Sequence, residues 1–263
     1  MNFAVLGSNT SQSLSPRLHS FIYRLINLEH SYSYIESSKI DFSILSNYHG
    51  LNITNPFKNN IIKYMDHLDP IALTTQSVNC IKIINKIKYG YNTDYYGFSE
   101  SIKLNNINFS NRKILVIGAG GVSNTICRYL VDKKFNFKII NRTDKHLEIL
   151  LKRLDLCEDN IAQYSSTDRL KYDTIINCTS SGINMENYLN SINLDYNYND
   201  TYIDVNYNLK NNFIKNIKTH KIIDGLDMLI FQAIKSIEIW IENDILQSVD
   251  YKKIRNHIIK NKC

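Results

Sequence analysis

The sequence predicts an α/β protein of two domains, one of them a doubly wound parallel sheet. Lys113-Ile114-Leu115-Val116-Ile117 is apolar after its first residue, the pattern of a strand buried on both faces of a parallel sheet. Strands and helices alternate from this point to Asn206, as a doubly wound sheet requires. The length, 263 residues, suits one large domain or two modest ones, at roughly 100–200 residues each.

Residues 2–7 read as a short buried strand. Ser15-Pro16 opens a helix to about Ile26, with Ser15 as N-cap and Pro16, whose fixed φ suits helix entry, at the first helical position. Residues 32–36 and 50–54 read as strands. Asn55-Pro56 then opens a second helix by the same logic, which puts Lys58 in its first turn. Ile81–Ile84 and Ile87–Tyr91 pair as a hairpin around Asn85-Lys86, and a helix follows Asp94 to about Leu104. After the 113–117 strand a helix runs to about Val131, Phe137–Asn141 is a strand, and a helix covers about 144–154. Asp173–Cys178 and Tyr202–Asn206 supply further strands. Beyond Asp227 the chain reads as helical, over Met228–Ile241 and 250–260. Such a tail must bury its apolar face, and its return to the first domain is expected. That gives one discontinuous domain of residues 1–100 plus 227–263 and a second of residues 101–226.

Hydrophobic residues make up 43% of the chain and charged residues 21%, enough for a packed core and contrary to global disorder. The apolar runs are far too short to span a bilayer, and Met1 to Gly7 lacks the basic start and long apolar stretch of a secretory signal. Cys80, Cys127, Cys157, Cys178 and Cys263 are scattered singly, with no C-x-x-C pair. Reduced thiols of a cytoplasmic protein fit this better than a disulfide framework or a zinc knuckle. The seven histidines are isolated in sequence, so no metal site is expected. The net charge of +6 comes from basic residues spread along the chain. It describes a mildly basic surface that draws in anionic ligands rather than a nucleic-acid site.

Gly118-Ala119-Gly120-Gly121-Val122-Ser123 lies between a strand and a helix. Glycines there allow a tight turn and close approach to a pyrophosphate, with the helix N-terminus offering unpaired N–H groups. Ser123 stands in place of a third glycine and is small enough for helix–strand packing. The next strand ends in Asn141-Arg142-Thr143. An NAD site wants an acid at that point for the ribose 2′-hydroxyl, whereas a guanidinium suits a 2′-phosphate. Asp144 keeps NAD open; Arg142 favours NADP.

Three further segments carry polar groups at element ends. They are Ser13-Leu14-Ser15-Pro16, Asn52-Ile53-Thr54-Asn55-Pro56-Phe57-Lys58 and Asn92-Thr93-Asp94. Singly, each reads as helix caps and a solvated lysine. Together with Asn79, the glycine turn, Asn141-Arg142-Thr143, Asn177-Cys178-Thr179-Ser180-Ser181-Gly182 and Gly225-Leu226-Asp227-Met228-Leu229-Ile230-Phe231-Gln232, they form eight ordered motifs over nearly the whole chain. In this the sequence resembles the shikimate dehydrogenase family.

The resemblance implies an enzyme of aromatic amino-acid biosynthesis that reversibly reduces 3-dehydroshikimate to shikimate with NADPH. It implies a cytoplasmic monomer or homodimer acting on that small molecule, with neither nucleic acid nor membrane as partner. The implied architecture is an N-terminal α/β substrate domain, completed by the C-terminal helices, with a Rossmann NADP-binding domain inserted. Lys58 and Asp94 take the place of the family's catalytic pair. Ser13, Ser15, Asn52, Thr54, Asn79, Tyr207 and Gln232 take the places of substrate ligands. Gly118, Gly120, Gly121, Val122, Asn141, Arg142, Thr143, Thr179, Gly225 and Met228 take those of cofactor contacts. An ammonium suits ketone reduction because it polarises the carbonyl and gives a proton to the nascent alkoxide. A helix dipole at Lys58 would oppose its charge and Asp94 would favour it.

Some positions depart from the family pattern. Ser8-Asn9-Thr10 and Gln12 replace N-P-I and a histidine, Cys80 a threonine, Tyr95 a glycine, and Leu209 and Asn212 a proline and a threonine. His146 stands at a second basic position. Two other readings stay open: a relative acting on quinate or an aminated analogue, with NAD or NADP, and a non-catalytic nucleotide-binding protein. Serine at both 13 and 15 favours shikimate over quinate, and retention of both Lys58 and Asp94 favours an enzyme.

Overall fold

A computed structural model of the chain describes residues 1–41, 47–163, 169–179, 184–207 and 217–260. Ser180, Ser181 and Gly182 of the asparagine–threonine motif, and the departures at Leu209 and Asn212, lie outside the described residues. The chain divides into two compact units, Met1–Glu100 with the residues from Asp227 onward, and Ser101–Leu226.

The first unit is built on a six-stranded mixed sheet. β1 (Asn2–Gly7) lies between β2 (Ser31–Glu36) and β3 (Gly50–Ile53), parallel to both. The apolar run of β1 is buried from Phe3 to Leu6, as its place inside the sheet demands. β4 (His67–Leu68) forms the far edge. β5 (Cys80–Ile84) and β6 (Ile87–Tyr91) form the expected hairpin, antiparallel to each other, with β5 antiparallel to β3. Asn85 and Lys86 both have left-handed φ, 50° and 70°, the geometry of a tight two-residue hairpin turn. One core cluster gathers Leu6, Leu51, Ile53, Phe57, Ile61, Val78 and Ile81.

The helices of this unit correct two expectations. α1 (Ser15–Leu25) is capped by Leu14, not Ser15, because helical bonding begins one residue earlier, with the Leu18 N–H donating to the Leu14 carbonyl at 3.0 Å. Ser13 serves this helix end, its Oγ accepting from the Ser15 N–H at 3.2 Å. No helix starts at Asn55-Pro56, which is a cis peptide. The chain runs through turns to a single 3₁₀ turn at Ile62–Tyr64, and the Lys58 carbonyl is taken by the Val78 N–H at 2.9 Å. The helix dipole expected at Lys58 is therefore absent. A short helix unforeseen from the sequence, α2 (Pro70–Thr75), is capped by Asp69, whose Oδ1 accepts from the Ala72 N–H at 2.7 Å. α3 (Thr93–Leu104) places Asp94 in its first turn.

The C-terminal segment supplies the last helices of the first unit. The Trp240 ring stacks on Phe3 at 4.4 Å, and its indole N–H donates to the Ile81 carbonyl at 2.9 Å. A Cβ on Gly50 would lie 2.3 Å from that indole nitrogen, so the missing side chain is what lets the ring sit there. The final helix, Tyr251–Lys260, is tied back by the Tyr251 hydroxyl and Arg255 guanidinium, both donating to Asp227. Phe21 and His257 stack between it and α1.

The second unit is a five-stranded, all-parallel sheet. Its strands are β7 (Ile114–Ile117), β8 (Phe137–Ile140), β9 (Thr174–Asn177), β10 (Thr201–Asp204) and β11 (Lys221–Ile223). Their order is β11-β10-β9-β7-β8, and Ile161 adds a parallel bridge to Ile139 beyond β8. Every residue of β7 and β9 is buried, as strands covered on both faces require. α4 (Gly121–Asp132), α5 (Asp144–Leu154) and α6 (Met185–Ser191) alternate with the strands. α5 has the bounds expected of it, whereas α6 and β11 were not foreseen.

His19 is fully buried in α1, its ring stacked on Tyr32 at 3.9 Å. Burial drives its pKa down from 6.5 to about 3, so the folded chain holds it neutral while the unfolded chain protonates it below about 6.5. Its contribution to stability is present above that pH and is lost as pH falls. His19→Phe, which keeps a stacked ring, should be less acid-sensitive than wild type by about 2 kcal/mol between pH 7 and 5. Urea unfolding at the two pH values reads the difference, and equal pH slopes in both proteins would contradict it.

Candidate active site

The site in the first unit grows from three element ends. Asn52 is the third residue of β3, Asn79 immediately precedes β5, and Thr93 and Asp94 open α3. All four are buried. The first N–H groups of a helix have no partner within it. Asn79 meets one of them, its Oδ1 accepting from the Thr93 N–H at 2.7 Å. Its Nδ2 donates to Asp94 Oδ1 and to Thr93 Oγ1, each at 2.9 Å. One carboxylate oxygen of Asp94 is thereby fixed, and the other, Oδ2, accepts from Lys58 Nζ at 2.6 Å. The side chains of this pair are only 12% and 8% exposed, so the charges are held together with little screening by water.

A second layer of polar groups completes the network. Asn52 Nδ2 donates to the Asn79 carbonyl at 3.2 Å and to Ser236 Oγ at 2.9 Å. The Tyr32 hydroxyl donates to Asn52 Oδ1 at 2.7 Å. Ser236 in turn donates to the Gln232 carbonyl at 2.8 Å and lies 3.2 Å from Thr93 Oγ1. Gln232 Oε1 is 3.5 Å from Asn79 Nδ2. Thus Asn52, Lys58, Asn79, Asp94 and Gln232 form one connected set. Ser13 and buried Ser15 stand at the start of α1 in the same unit, the Ser13 Oγ accepting from the Ser15 N–H. Half-buried Thr54 follows β3, its N–H donating to the Leu6 carbonyl at 2.9 Å. Met228 is buried in the same unit, its carbonyl against Gly97. Tyr32 and Ser236 were not singled out from the sequence. A lone serine in the apolar run of residues 226–241 was the one signal that could have found Ser236.

The other expected residues lie in the second unit. Gly118 has φ +109°, and a Cβ there would press on the Cys178 carbonyl and the Thr179 nitrogen at 3.2–3.3 Å. The turn therefore runs against the neighbouring strand end, at the point where strand order reverses. A Cβ on exposed Gly120 would meet nothing within 4 Å, leaving the N-terminus of α4 open. The Gly120 N–H is held by Ser123 Oγ at 3.1 Å, and Gly121 and Val122 form the first turn. These features fit a pyrophosphate. At the end of β8, Asn141 Nδ2 bonds the Thr143 carbonyl at 2.8 Å, and Arg142 and Thr143 are exposed.

Thr179 is held through its N–H and hydroxyl by Asn177 Oδ1, at 3.1 and 2.7 Å. Asn177 also reaches buried Asp204, whose carboxyl burial pushes up and the hydrogen bonds from Asn206 and Asn177 hold down. Asn206, so held, precedes half-buried Tyr207. A Cβ on Gly225 would lie 2.1 Å from the Val205 carbonyl oxygen, which explains a glycine there.

The strand order and glycine turn of residues 101–226 define a Rossmann-type dinucleotide-binding fold. Residues 5–81 match the family model described as the shikimate dehydrogenase substrate binding domain, and residues 100–191 match shikimate / quinate 5-dehydrogenase. A shikimate dehydrogenase (NADP(+)) of Pelagibacter ubique is 36% identical, over 96% of this chain and 97% of its own. That of Staphylococcus haemolyticus is 34% identical, over 91% and 92%. The crystal structure of shikimate dehydrogenase from Aquifex aeolicus superposes with a TM-score of 0.84 at 26% identity, covering 99% of this chain and 98% of that one. The chain belongs to the shikimate dehydrogenase family.

The backbone at Gly118 is one that L side chains rarely adopt. Gly118→Ala should destabilise the chain by about 1–3 kcal/mol. Chemical denaturation checks this, and an unchanged midpoint would show that the turn relaxes without cost.

Proposed function

We propose that this chain is an NADP-dependent shikimate dehydrogenase, interconverting 3-dehydroshikimate and shikimate, with Lys58 and Asp94 as its catalytic pair. The observation that carries the reading is the buried lysine–aspartate pair, at 2.6 Å, inside a network of small polar side chains. The relatives that cover nearly the whole chain bear that activity in their names.

NADPH, when bound, supplies the hydride to the carbonyl carbon; the chain supplies orientation and the proton. Lys58 donates a hydrogen bond to the substrate carbonyl oxygen and passes its proton to the alkoxide as that charge develops. Asp94 holds the ammonium in place and accepts from a ring hydroxyl. Asn79 keeps the carboxylate from rotating. Ser13 and Ser15 suit the substrate carboxylate, and Asn52, Thr54, Gln232 and Tyr207 the hydroxyl-bearing ring. Gly118, Gly120, Gly121 and Val122 would cradle the pyrophosphate, with Thr179, Gly225 and Met228 toward the nicotinamide. Asn141, Arg142 and Thr143 would take the adenosine 2′-phosphate. Arg142 supports NADP over NAD because a guanidinium gives a phosphate two directed hydrogen bonds and a full opposite charge. On this reading the enzyme works in the cytoplasm as a monomer or homodimer. No helix among the described residues is long and apolar enough to cross a membrane.

Two measurements test these assignments. Lys58→Ala should lower kcat for NADP⁺-linked shikimate oxidation by roughly 10²–10⁴-fold, and a rate equal to wild type removes Lys58 from its role. Arg142→Ala should raise KM for NADP⁺ about tenfold or more, the worth of charged hydrogen bonds to a phosphate, while leaving NAD⁺ kinetics unchanged. A parallel loss with both cofactors would assign Arg142 to something other than the 2′-phosphate.

A further inference from the structure

Tyr32 lies in β2, away from every motif that the sequence offered, yet its hydroxyl is the partner of Asn52 Oδ1 at 2.7 Å within the core. We infer that Tyr32 is a positioning residue for substrate binding, fixing the orientation of Asn52 through its phenolic hydroxyl. The inference rests on the function proposed above.

A primary amide can be turned over by half a rotation. In Asn52 both Nδ2 hydrogens are spent, on the Asn79 carbonyl at 3.2 Å and on Ser236 at 2.9 Å. The reversed amide would set its oxygen against the Asn79 carbonyl oxygen and its hydrogens against the phenol. With Tyr32 donating, the orientation is fixed, and Asn52 keeps one lone pair on Oδ1 to accept from a ring hydroxyl.

The ring cannot swing to release this bond. It is stacked on His19 at 3.9 Å with the planes 14° apart, and Trp240 is 6.2 Å away. Neither ring nitrogen of fully buried His19 has a hydrogen-bond partner among the described residues, so what His19 offers Tyr32 is a flat face. Tyr23 provides an internal comparison. Its ring lies in the same aromatic layer, 6.1 Å from His19, and its buried hydroxyl has no hydrogen-bond partner among the described residues.

Removing the phenolic oxygen should weaken substrate binding without touching the chemical step. In steady-state assays of the full chain with shikimate and NADP⁺, Tyr32→Phe should raise KM for shikimate roughly 5–20-fold and change kcat less than about twofold, the pattern of lost uniform binding. KM for NADP⁺ should be unchanged, and Tyr23→Phe should match wild type. If Tyr32 acts through Asn52, adding Tyr32→Phe to Asn52→Ala should raise KM by no more than about twofold further. A Tyr32→Phe KM equal to that of wild type overturns the inference, as does a full multiplicative effect in the double variant. A wild-type chain that does not oxidise shikimate overturns the proposed function and this inference with it.

Discussion

Burying a primary amide obliges the fold to find partners for its hydrogens and its oxygen, and Asn79 finds them on α3. A buried polar group left unmatched costs about 1–3 kcal/mol. Asn79 avoids that by capping the N-terminus of α3 with its oxygen while its nitrogen grips Thr93 and Asp94. One amide therefore decides where the helix starts and which way the Asp94 carboxylate faces. The second carboxylate oxygen is left for Lys58, on a segment of turns that depends on the same neighbourhood, since the Lys58 carbonyl is held by Val78, the residue before Asn79. The charged pair is thus the last link of a backbone arrangement and does not stand alone.

The second unit solves a different problem with the same economy. A parallel sheet brings strand ends together at one edge, and the polar residues there must be organised without a helix of their own. Asn177 and Asp204, at the ends of adjacent strands β9 and β10, pair at 3.2 Å and between them hold Thr179 and Asn206. Gly118 passes close beside this corner because it has no side chain to collide with Cys178. Small residues and matched amides keep the strand ends close where a dinucleotide fold needs room for phosphates.

Much of this was readable because it is local. The strands around Ile114–Ile117 and Phe137–Ile140 announce themselves as apolar runs, and α5 is bounded by residues with helical patterning from Asp144 to Leu154. Asn85-Lys86 marks its own turn. Asn55-Pro56 misled because the helix-opening pattern there competes with tertiary bonding: the Lys58 carbonyl pairs with Val78 and not with a residue one turn on. Ser15 misled by one residue, because helical bonding begins at the Leu14 carbonyl and it is Ser13 that accepts from the Ser15 N–H. Of the site, the residue types at Lys58, Asn79 and Asp94 were plain, but no spacing could bring 58 beside 94, and only the ordered resemblance joined them. Tyr32 and Ser236 carry no local mark, because their importance comes from residues 20 and 184 positions away.

The indole that fills the gap above Gly50 has a bearing on how the protein is made. Trp240 closes a sheet whose first strand leaves the ribosome more than two hundred residues earlier, and it covers Phe3 and the Ile81 carbonyl. Until that ring arrives, the nascent first sheet has an uncovered apolar face, while residues 101–226 form a contiguous unit that is already complete. The middle of the polypeptide can thus mature before its beginning, and until the C-terminal helix emerges the face that Trp240 covers is the newborn chain's exposed apolar surface.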